Sequence, residues 1–206
     1  MTDLQCPARV VLARHGEAAA SLAGQPRELT SRGRAQARGL AEGLAGERVA
    51  AIWSSTMLRA AQTADVVAAR LGLPVTADDR LRELVGDEPW TPPAHLEDDP
   101  DEVYAAWLAG DLDGTIAGES GHDVVGRLRS VVEEVADRYR GECVLLVAHG
   151  GIIELGLLHL SHNVTAAFTD RHPLEPGAFA VVEVDSQGWT CTRWGDEVRS
   201  LSRRRS

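Results

Sequence analysis

The stretch RVVLARHGEAA (residues 9–19) places a short apolar run directly before an arginine, a histidine and a glycine. A bounded apolar run such as Val10–Ala13 is typical of a buried strand. The three residues that follow this run, Arg14, His15 and Gly16, belong either to an ordinary turn or to a reaction site. The rest of the chain has to distinguish these two interpretations.

Further strand-like runs alternate with helix-like segments along the chain, and this order predicts an α/β fold. We expect a three-layer sandwich, with a largely parallel central sheet and helices on both faces. An alternating stretch near 178–194 predicts an edge hairpin. The expected strands are 8–14, 48–55, a short one followed by a turn within 73–84, and 143–151, which runs into the last helix. The expected helices are 29–46, 56–72, 119–141 and 151–160.

In folds of this kind, ligands gather outside the carboxyl ends of the parallel strands. Arg14–His15, Ser54–Ser55 and His149–Gly150 all stand at predicted strand ends, so we expect them to share one crevice. Residues 86–118 are rich in Pro, Asp, Glu and Gly. We expect this segment to be an inserted excursion over the active site, with one short helix near 103–108. No repeat or linker divides the chain, which predicts a single domain over 1–206.

Composition excludes several classes of function. The formal net charge is -10, which disfavours nucleic acid and anionic membranes as main partners. All 21 basic residues are arginines, so the chain lacks the lysine of a Walker-type phosphate loop and the amine that Schiff-base catalysis needs.

The three cysteines, Cys6, Cys143 and Cys191, are widely spaced and predict neither a disulfide framework nor a CxxC metal site. A reducing cytoplasm is the simplest setting for them. The first residues have no basic region followed by a long apolar stretch, so no signal peptide is predicted. The expected hairpin near 178–194 offers a pairing edge, which leaves a homodimer open.

The residues expected at the crevice favour an anion, and phosphate in particular. Arginine guanidinium groups match phosphate oxygens in bidentate fashion. The helix that follows His149 is expected to offer free backbone N–H groups. A neutral imidazole can attack phosphorus and form a phosphohistidine, which water then cleaves. The candidate residues are His15, His149, Arg14 and Arg59, with close backbone approach at Gly16, Gly150 and Gly151.

A leaving alkoxide needs a proton from a carboxylic acid near the phosphate. Glu83 is the best candidate, because it follows a predicted strand and precedes the acidic excursion. Asp87 and Glu88 lie nearby in sequence and remain alternatives. A second pair, His159 and His162, has spacing that fits a metal, but no third ligand stands near them, so no metal site is predicted.

Six motifs follow one another along the chain: ARHGE (13–17), LTSRGRAQA (29–37), WSSTMLRAAQTA (53–64), RLREL (80–84), GES (118–120) and VAHGGII (147–153). In these motifs and their order the chain resembles the histidine phosphatase superfamily, also called the phosphoglycerate mutase-like family. The resemblance implies that His15 is the phosphorylated nucleophile, that Arg14, Arg59, His149 and Gly150 complete the phosphate pocket, and that Glu83 donates the proton. It implies no metal and no organic cofactor.

The chain also departs from the family pattern. Ser21 stands where many members have a phosphate-binding asparagine, and the usual Asp-x-Pro-Leu-Thr segment begins here with Gln25, so both are expected at the substrate rim. The Arg-His-Tyr-Gly run of glycolytic mutases is absent after Glu83. We therefore expect a cofactor-independent phosphomonoesterase acting on a small phosphorylated metabolite. A phosphomutase and a catalytically silent phospho-ligand binder remain the alternatives.

Overall fold

A computed structural model describes residues 7–20, 25–86 and 99–198. The expected α/β sandwich is confirmed, with a seven-stranded sheet in the order β3-β2-β6-β1-β7-β8-β9. Its strands are β1 (Ala8–Arg14), β2 (Val49–Ser54), β3 (Val75–Ala77), β6 (Cys143–Ala148), β7 (Phe179–Asp185), β8 (Gly188–Trp194) and β9 (Glu197–Val198), and a separate hairpin holds β4 (Thr115–Ile116) and β5 (Glu119–Ser120).

The parallel part of the sheet comprises β3, β2, β6 and β1, and β7 continues it in antiparallel fashion on the other side of β1. The expected hairpin is formed by β7 and β8. The helices are α1 (Ser31–Gly43), α2 (Leu58–Leu71), α3 (Pro100–Ala109), α4 (Gly121–Arg138), α5 (Gly150–Leu160) and α6 (Ala166–Arg171), and a 3₁₀ turn covers Asp79–Leu81.

Successive side chains of β1 alternate between two hydrophobic layers, as the pleat of a strand requires. Val11 and Ala13 pack with α1 and α2, whereas Val10 and Leu12 pack with α4 and α5. Strand β6 is buried at every position. Both faces of the sheet are therefore covered, and the strand ends become the place where polar side chains can gather.

Local signals explain where the main helices begin and end. Thr30 caps α1 by accepting a hydrogen bond from the amide of Gly33. Gly72 adopts a left-handed conformation, with φ of 72°, and ends α2. Ser120 and Asp123 form a capping box at the start of α4. Helix α6 was not predicted, since its six residues carry no clear apolar period.

The excursion is only partly described. Within it, the predicted short helix is α3, and Trp107 of that helix is fully buried in the core. Among the helices of the described ranges, none has both the length and the apolar character needed to cross a membrane.

Candidate active site

Three neighbouring parallel strands end at one edge of the sheet, and each is followed by a residue of the site. His15 follows β1, Ser55 follows β2 and His149 follows β6. The amide of His15 donates to the carbonyl of Ala148, and the amide of Ser55 donates to the carbonyl of Val147. The backbone ladder thus continues into the site and fixes these residues side by side.

His15 is held in one tautomer. Its Nδ1 lies 2.7 Å from the carbonyl oxygen of Gly16, so Nδ1 carries the proton and donates it there. Its Nε2 accepts a hydrogen bond of 3.0 Å from Nε of Arg59. Burial lowers the pKa of His15 to about 3, and the charges of Arg59 and Arg14 act in the same direction. The imidazole is therefore neutral at pH 7, with its lone pair on Nε2.

The loop that carries His15 is held by side chains from two helices. The amide of Gly16 donates to Oγ1 of Thr63, and the amide of Glu17 donates to Oε1 of Gln36. Gly16 and Gly33 approach so closely that a Cβ on either would strike the other segment's backbone. These contacts explain why the motifs at 29–37 and 53–64 accompany the motif at 13–17.

Two arginines stand beside His15. Arg59, in the first turn of α2, is only 3% exposed. Arg14 donates from Nη1 to the carbonyl of Leu174 at 2.7 Å, while its buried Nε has no partner among the described residues. A Cβ on Gly150 would lie 3.2 Å from the guanidinium carbon of Arg14, so the glycine makes room for this cation.

His149 directly precedes α5, makes no side-chain hydrogen bond to the amides of that helix, and is completely buried. Its ring centroid lies 5.1 Å from that of His15. Nε2 lies 2.9 Å from Oγ of Ser55, whereas Nδ1 has no partner in the described part of the chain. Burial holds the pKa of His149 well below its usual value, reinforced by the charge of Arg59. This ring too is neutral in the unliganded protein.

Glu83 reaches the same edge from the segment after the 3₁₀ turn. Its Oε2 accepts from the amide of Gly151 at 3.2 Å, and its Oε1 accepts from the amide of Ile152 at 3.1 Å. A Cβ on Gly151 would meet Oε1 of Glu83 at 2.7 Å. The carboxylate therefore caps α5, the helix that begins directly after His149.

This capping corrects one expectation. The helix after His149 was predicted to offer free N–H groups to a phosphate, but Glu83 accepts from two of them, at Gly151 and Ile152. A buried helix end needs acceptors for its amides, and no local pattern near 150–152 indicates that the acceptor is a carboxylate almost 70 residues earlier in the chain.

Arg127 of α4 holds the segment that carries Glu83 by hydrogen bonds to the backbone of that segment. Its guanidinium donates to the carbonyls of Arg80, Arg82 and Glu83, and its Nε lies 3.2 Å from Oε1 of Glu119. Glu119 also pairs with Arg82 at 2.7 Å. Sequence analysis did not single out Arg127 or Glu119. Glu119 lies in the motif at 118–120, but the local sequence does not show that this residue contacts Arg82 and Arg127.

The remaining predicted residues are less closely placed. Ser21, Asp87 and Glu88 lie outside the described residues. Gln25 is exposed and forms no hydrogen bond with a described residue, so its role at the rim stays a prediction. Arg27 lies near enough for its charge to contribute to the lowered pKa of His15.

The histidine pair that resembled a metal site is accounted for by backbone contacts. His159 bonds to the carbonyl of Trp107 and His162 to that of Gln187, each at 2.8 Å. Within 7–20, 25–86 and 99–198, no cluster of three or more His, Cys, Asp or Glu side chains is arranged to hold a metal ion.

Comparisons with known proteins agree with this geometry. The family model of the histidine phosphatase superfamily (branch 1) matches residues 10–197. The chain is 37% identical to a glucosyl-3-phosphoglycerate phosphatase of Mycolicibacterium vanbaalenii, over 89% of this chain and 95% of the relative. It is 30% identical to a metal-independent phosphoserine phosphatase of Arabidopsis thaliana, over 91% of this chain and 81% of the relative.

A solved structure of mycobacterial glucosyl-3-phosphoglycerate phosphatase in complex with VO3 is also similar. It is 29% identical, superposes with a TM-score of 0.72, and is matched over 92% of this chain and 99% of that chain. The chain therefore belongs to the histidine phosphatase superfamily (branch 1) and is a phosphatase.

Proposed function

We propose that this phosphatase hydrolyses a phosphate monoester in two steps through His15. Nε2 of His15 attacks phosphorus, the bond from phosphorus to the ester oxygen breaks, and the phosphoryl group stays on Nε2. Water then attacks the phosphohistidine, which releases inorganic phosphate and restores the neutral ring. The observation that carries this proposal is the hydrogen bond of His15, because the Gly16 carbonyl accepts from Nδ1–H and so leaves the lone pair on Nε2 for attack.

Arg14, Arg59, His149 and Gly150 are proposed to hold the phosphoryl group during both steps. Nε of Arg14 and Nδ1 of His149 are buried and have no hydrogen-bond partner within the described residues, so a bound ligand would satisfy both. Arg59 now donates to Nε2 of His15, so a bound phosphoryl group has to take over that donor before attack. Fixed positive groups around the equatorial oxygens supply most of the catalysis in phosphoryl transfer.

Glu83 is proposed to give its proton to the leaving alkoxide and, as a carboxylate, to take one from the attacking water. Its hydrogen bonds to the amides of Gly151 and Ile152 fix the carboxyl group at the edge where the site lies. Proton transfer of this kind contributes about 10²- to 10⁴-fold to a rate.

The proposed substrate is a small phosphorylated metabolite. Glucosyl-3-phosphoglycerate and phosphoserine, which appear in the names of the relatives, are the first esters to screen. Ser21 and Gln25 are proposed to contact the substrate at the rim.

Three further expectations remain proposals. The chain is proposed to be one domain over 1–206, with 86–118 over the active site, and to act in the cytoplasm. A homodimer is also retained, but strand β8 does not offer the open edge that was expected. His162 and Asn163 already bond to the backbone of Trp189 and Cys191 in that strand.

The test is hydrolysis of p-nitrophenyl phosphate between pH 4 and 9, in the presence and absence of a chelator. We expect wild-type activity that the chelator does not reduce, and its loss in His15→Ala. The exposed histidine variant His122→Ala is the matched control and should retain activity. Activity of His15→Ala at the wild-type rate would refute the mechanism. A long-lived phosphoenzyme that needs a bisphosphate primer would indicate a mutase instead.

A further inference from the structure

Ser55 is a buried residue whose position is fixed on several sides. Its amide donates to the carbonyl of Val147 at 2.9 Å, which ties it to β6 beside His149. Its Oγ accepts from the amide of Met57 at 3.2 Å and lies 2.9 Å from Nε2 of His149. The side chain has no exposure to solvent.

The direction of the bond between Ser55 and His149 follows from counting donors and acceptors. A hydroxyl has one proton and two lone pairs, and the amide of Met57 uses one lone pair. In the described part of the chain, Nε2 of His149 is the remaining polar neighbour of Oγ. If Nε2 carried a proton, the hydroxyl proton would be buried without an acceptor, at a cost of about 1–3 kcal/mol. The hydroxyl therefore donates, and Nε2 accepts.

This direction determines where the proton of His149 lies. A neutral imidazole has a single N–H, so with Nε2 as the acceptor the proton resides on Nδ1. Nδ1 is the buried nitrogen that has no partner among the described residues. It belongs to a ring whose centroid is 5.1 Å from that of the nucleophile. A buried donor in this position is available to an oxygen of a group bound at His15.

We propose that Ser55 is a positioning residue that sets the tautomer of His149, so that Nδ1–H is the donor to the phosphoryl group. The identity of the bound group rests on the proposed function, but the tautomer does not. With the opposite tautomer, the Nδ1 lone pair would face the phosphoryl oxygens and repel them. Ser55 thereby does for His149 what the Gly16 carbonyl does for His15, with the proton on Nδ1 in both rings.

The direct test is a long-range ¹H–¹⁵N spectrum of the unliganded full chain with ¹⁵N-labelled histidine at pH 7. The signals of His149 are assigned from their absence in His149→Gln. We expect a protonated Nδ1 and an unprotonated Nε2. A wild-type spectrum with the proton on Nε2 would overturn the proposal without any variant at Ser55.

Variants provide the second readout. Ser55→Ala is expected to shift His149 towards the Nε2–H tautomer and to lower kcat on p-nitrophenyl phosphate by about 10- to 100-fold. Ser55→Thr keeps a hydroxyl and should restore both the tautomer and most of the activity. Ser54→Ala is the control, because it removes a buried hydroxyl that bonds to the carbonyl of Ser55 and not to His149. It should leave the tautomer unchanged.

If Ser55→Ala keeps both the wild-type tautomer and the wild-type kcat, Ser55 does not have this role. Failure of the proposed function gives a different result. In that case the wild-type spectrum shows Nδ1–H, while no phosphohistidine forms at His15.

Discussion

Two parts of the site are held by different means. The proposed phosphate pocket, which we define as Arg14, His15, Arg59 and His149, is built on the ends of β1 and β6, which hydrogen bonds of the sheet tie together, and on the first turn of α2. The Glu83 segment, residues 80–85, lies outside the sheet. Side chains hold it, chiefly Arg127 and the pair of Arg82 with Glu119.

The two parts correspond to two portions of a phosphate ester, namely the phosphoryl group, which all esters share, and the leaving group, which differs between them. The phosphoryl group is the same in all of them, and a rigid backbone frame suits it. The leaving group varies, and the Glu83 segment, which is proposed to face it, is fixed by side-chain contacts that single substitutions can change. Variants in the two parts should therefore differ in how their effects depend on the leaving group.

The largest effect is expected in the phosphate pocket. Arg59→Met removes the guanidinium beside Nε2 of His15, and kcat/KM should fall about 10³-fold, because a buried donor to the transferred group is lost. The loss should be similar for alkyl and aryl phosphates. The control is Arg70→Met, at an exposed arginine near the end of the same helix. A loss confined to alkyl esters would show that the phosphate pocket and the Glu83 segment do not differ in how their variants depend on the leaving group.

Glu83→Gln should have a smaller effect that depends on the leaving group. Alkyl phosphates need the proton and should lose about 10²-fold in kcat, while p-nitrophenyl phosphate, whose leaving group is stable as an anion, should lose far less. Steady-state rates on both kinds of ester measure the difference. Equal losses on both would argue against Glu83 as the proton donor.

Arg127→Met should reproduce a weaker version of the Glu83 pattern. The carbonyls of 80, 82 and 83 lose their donor, the carboxyl group is less well placed, and kcat on alkyl phosphates should fall about tenfold. In Glu83→Gln the same change should add little, since residues that act as a unit are not additive. Arg129→Met, an exposed arginine two residues further along α4, is the matched control. Full additivity in the double variant would show that Arg127 acts independently of Glu83.

The smallest effect concerns stability. The pKa of His15 is about 3 in the folded protein, and the unfolded value is near 6.5. Between these values the unfolded chain binds a proton that the folded chain does not, so the free energy of unfolding falls as the pH falls. His15 contributes at most about 1.4 kcal/mol per pH unit.

Urea midpoints of wild type and His15→Asn between pH 6 and 4 measure this contribution, and the variant should show the flatter dependence. The pKa of His149 is lowered as well, so part of the pH dependence of stability should remain in the variant. The exposed variant His122→Asn should behave like wild type. Parallel slopes for wild type and His15→Asn would contradict a neutral buried His15.

The sequence was most informative where structure is local. The strand before His15, the helix ended by Gly72 and the helix predicted over 119–141 all follow from periodicity and end signals. The pocket could be predicted as well, because three strand ends must meet in a parallel sheet. The functions of Ser55 and Arg127 could not, since each depends on contacts with groups dozens of residues away. The cap of α5 by Glu83 was missed for the same reason, whereas helix α6 was missed because its six residues carry no clear apolar period.

Strand β1 has a consequence for the order of assembly. It carries the first motif of the chain, yet its two neighbours are β6 (Cys143–Ala148) and β7 (Phe179–Asp185), both in the last third of the sequence. Contacts between such distant segments form slowly, because a long loop has to close before they are made. During synthesis the proposed nucleophile therefore remains without its pocket until β6 and β7 have emerged, and a truncated product lacking β7 should be inactive as well as prone to aggregate.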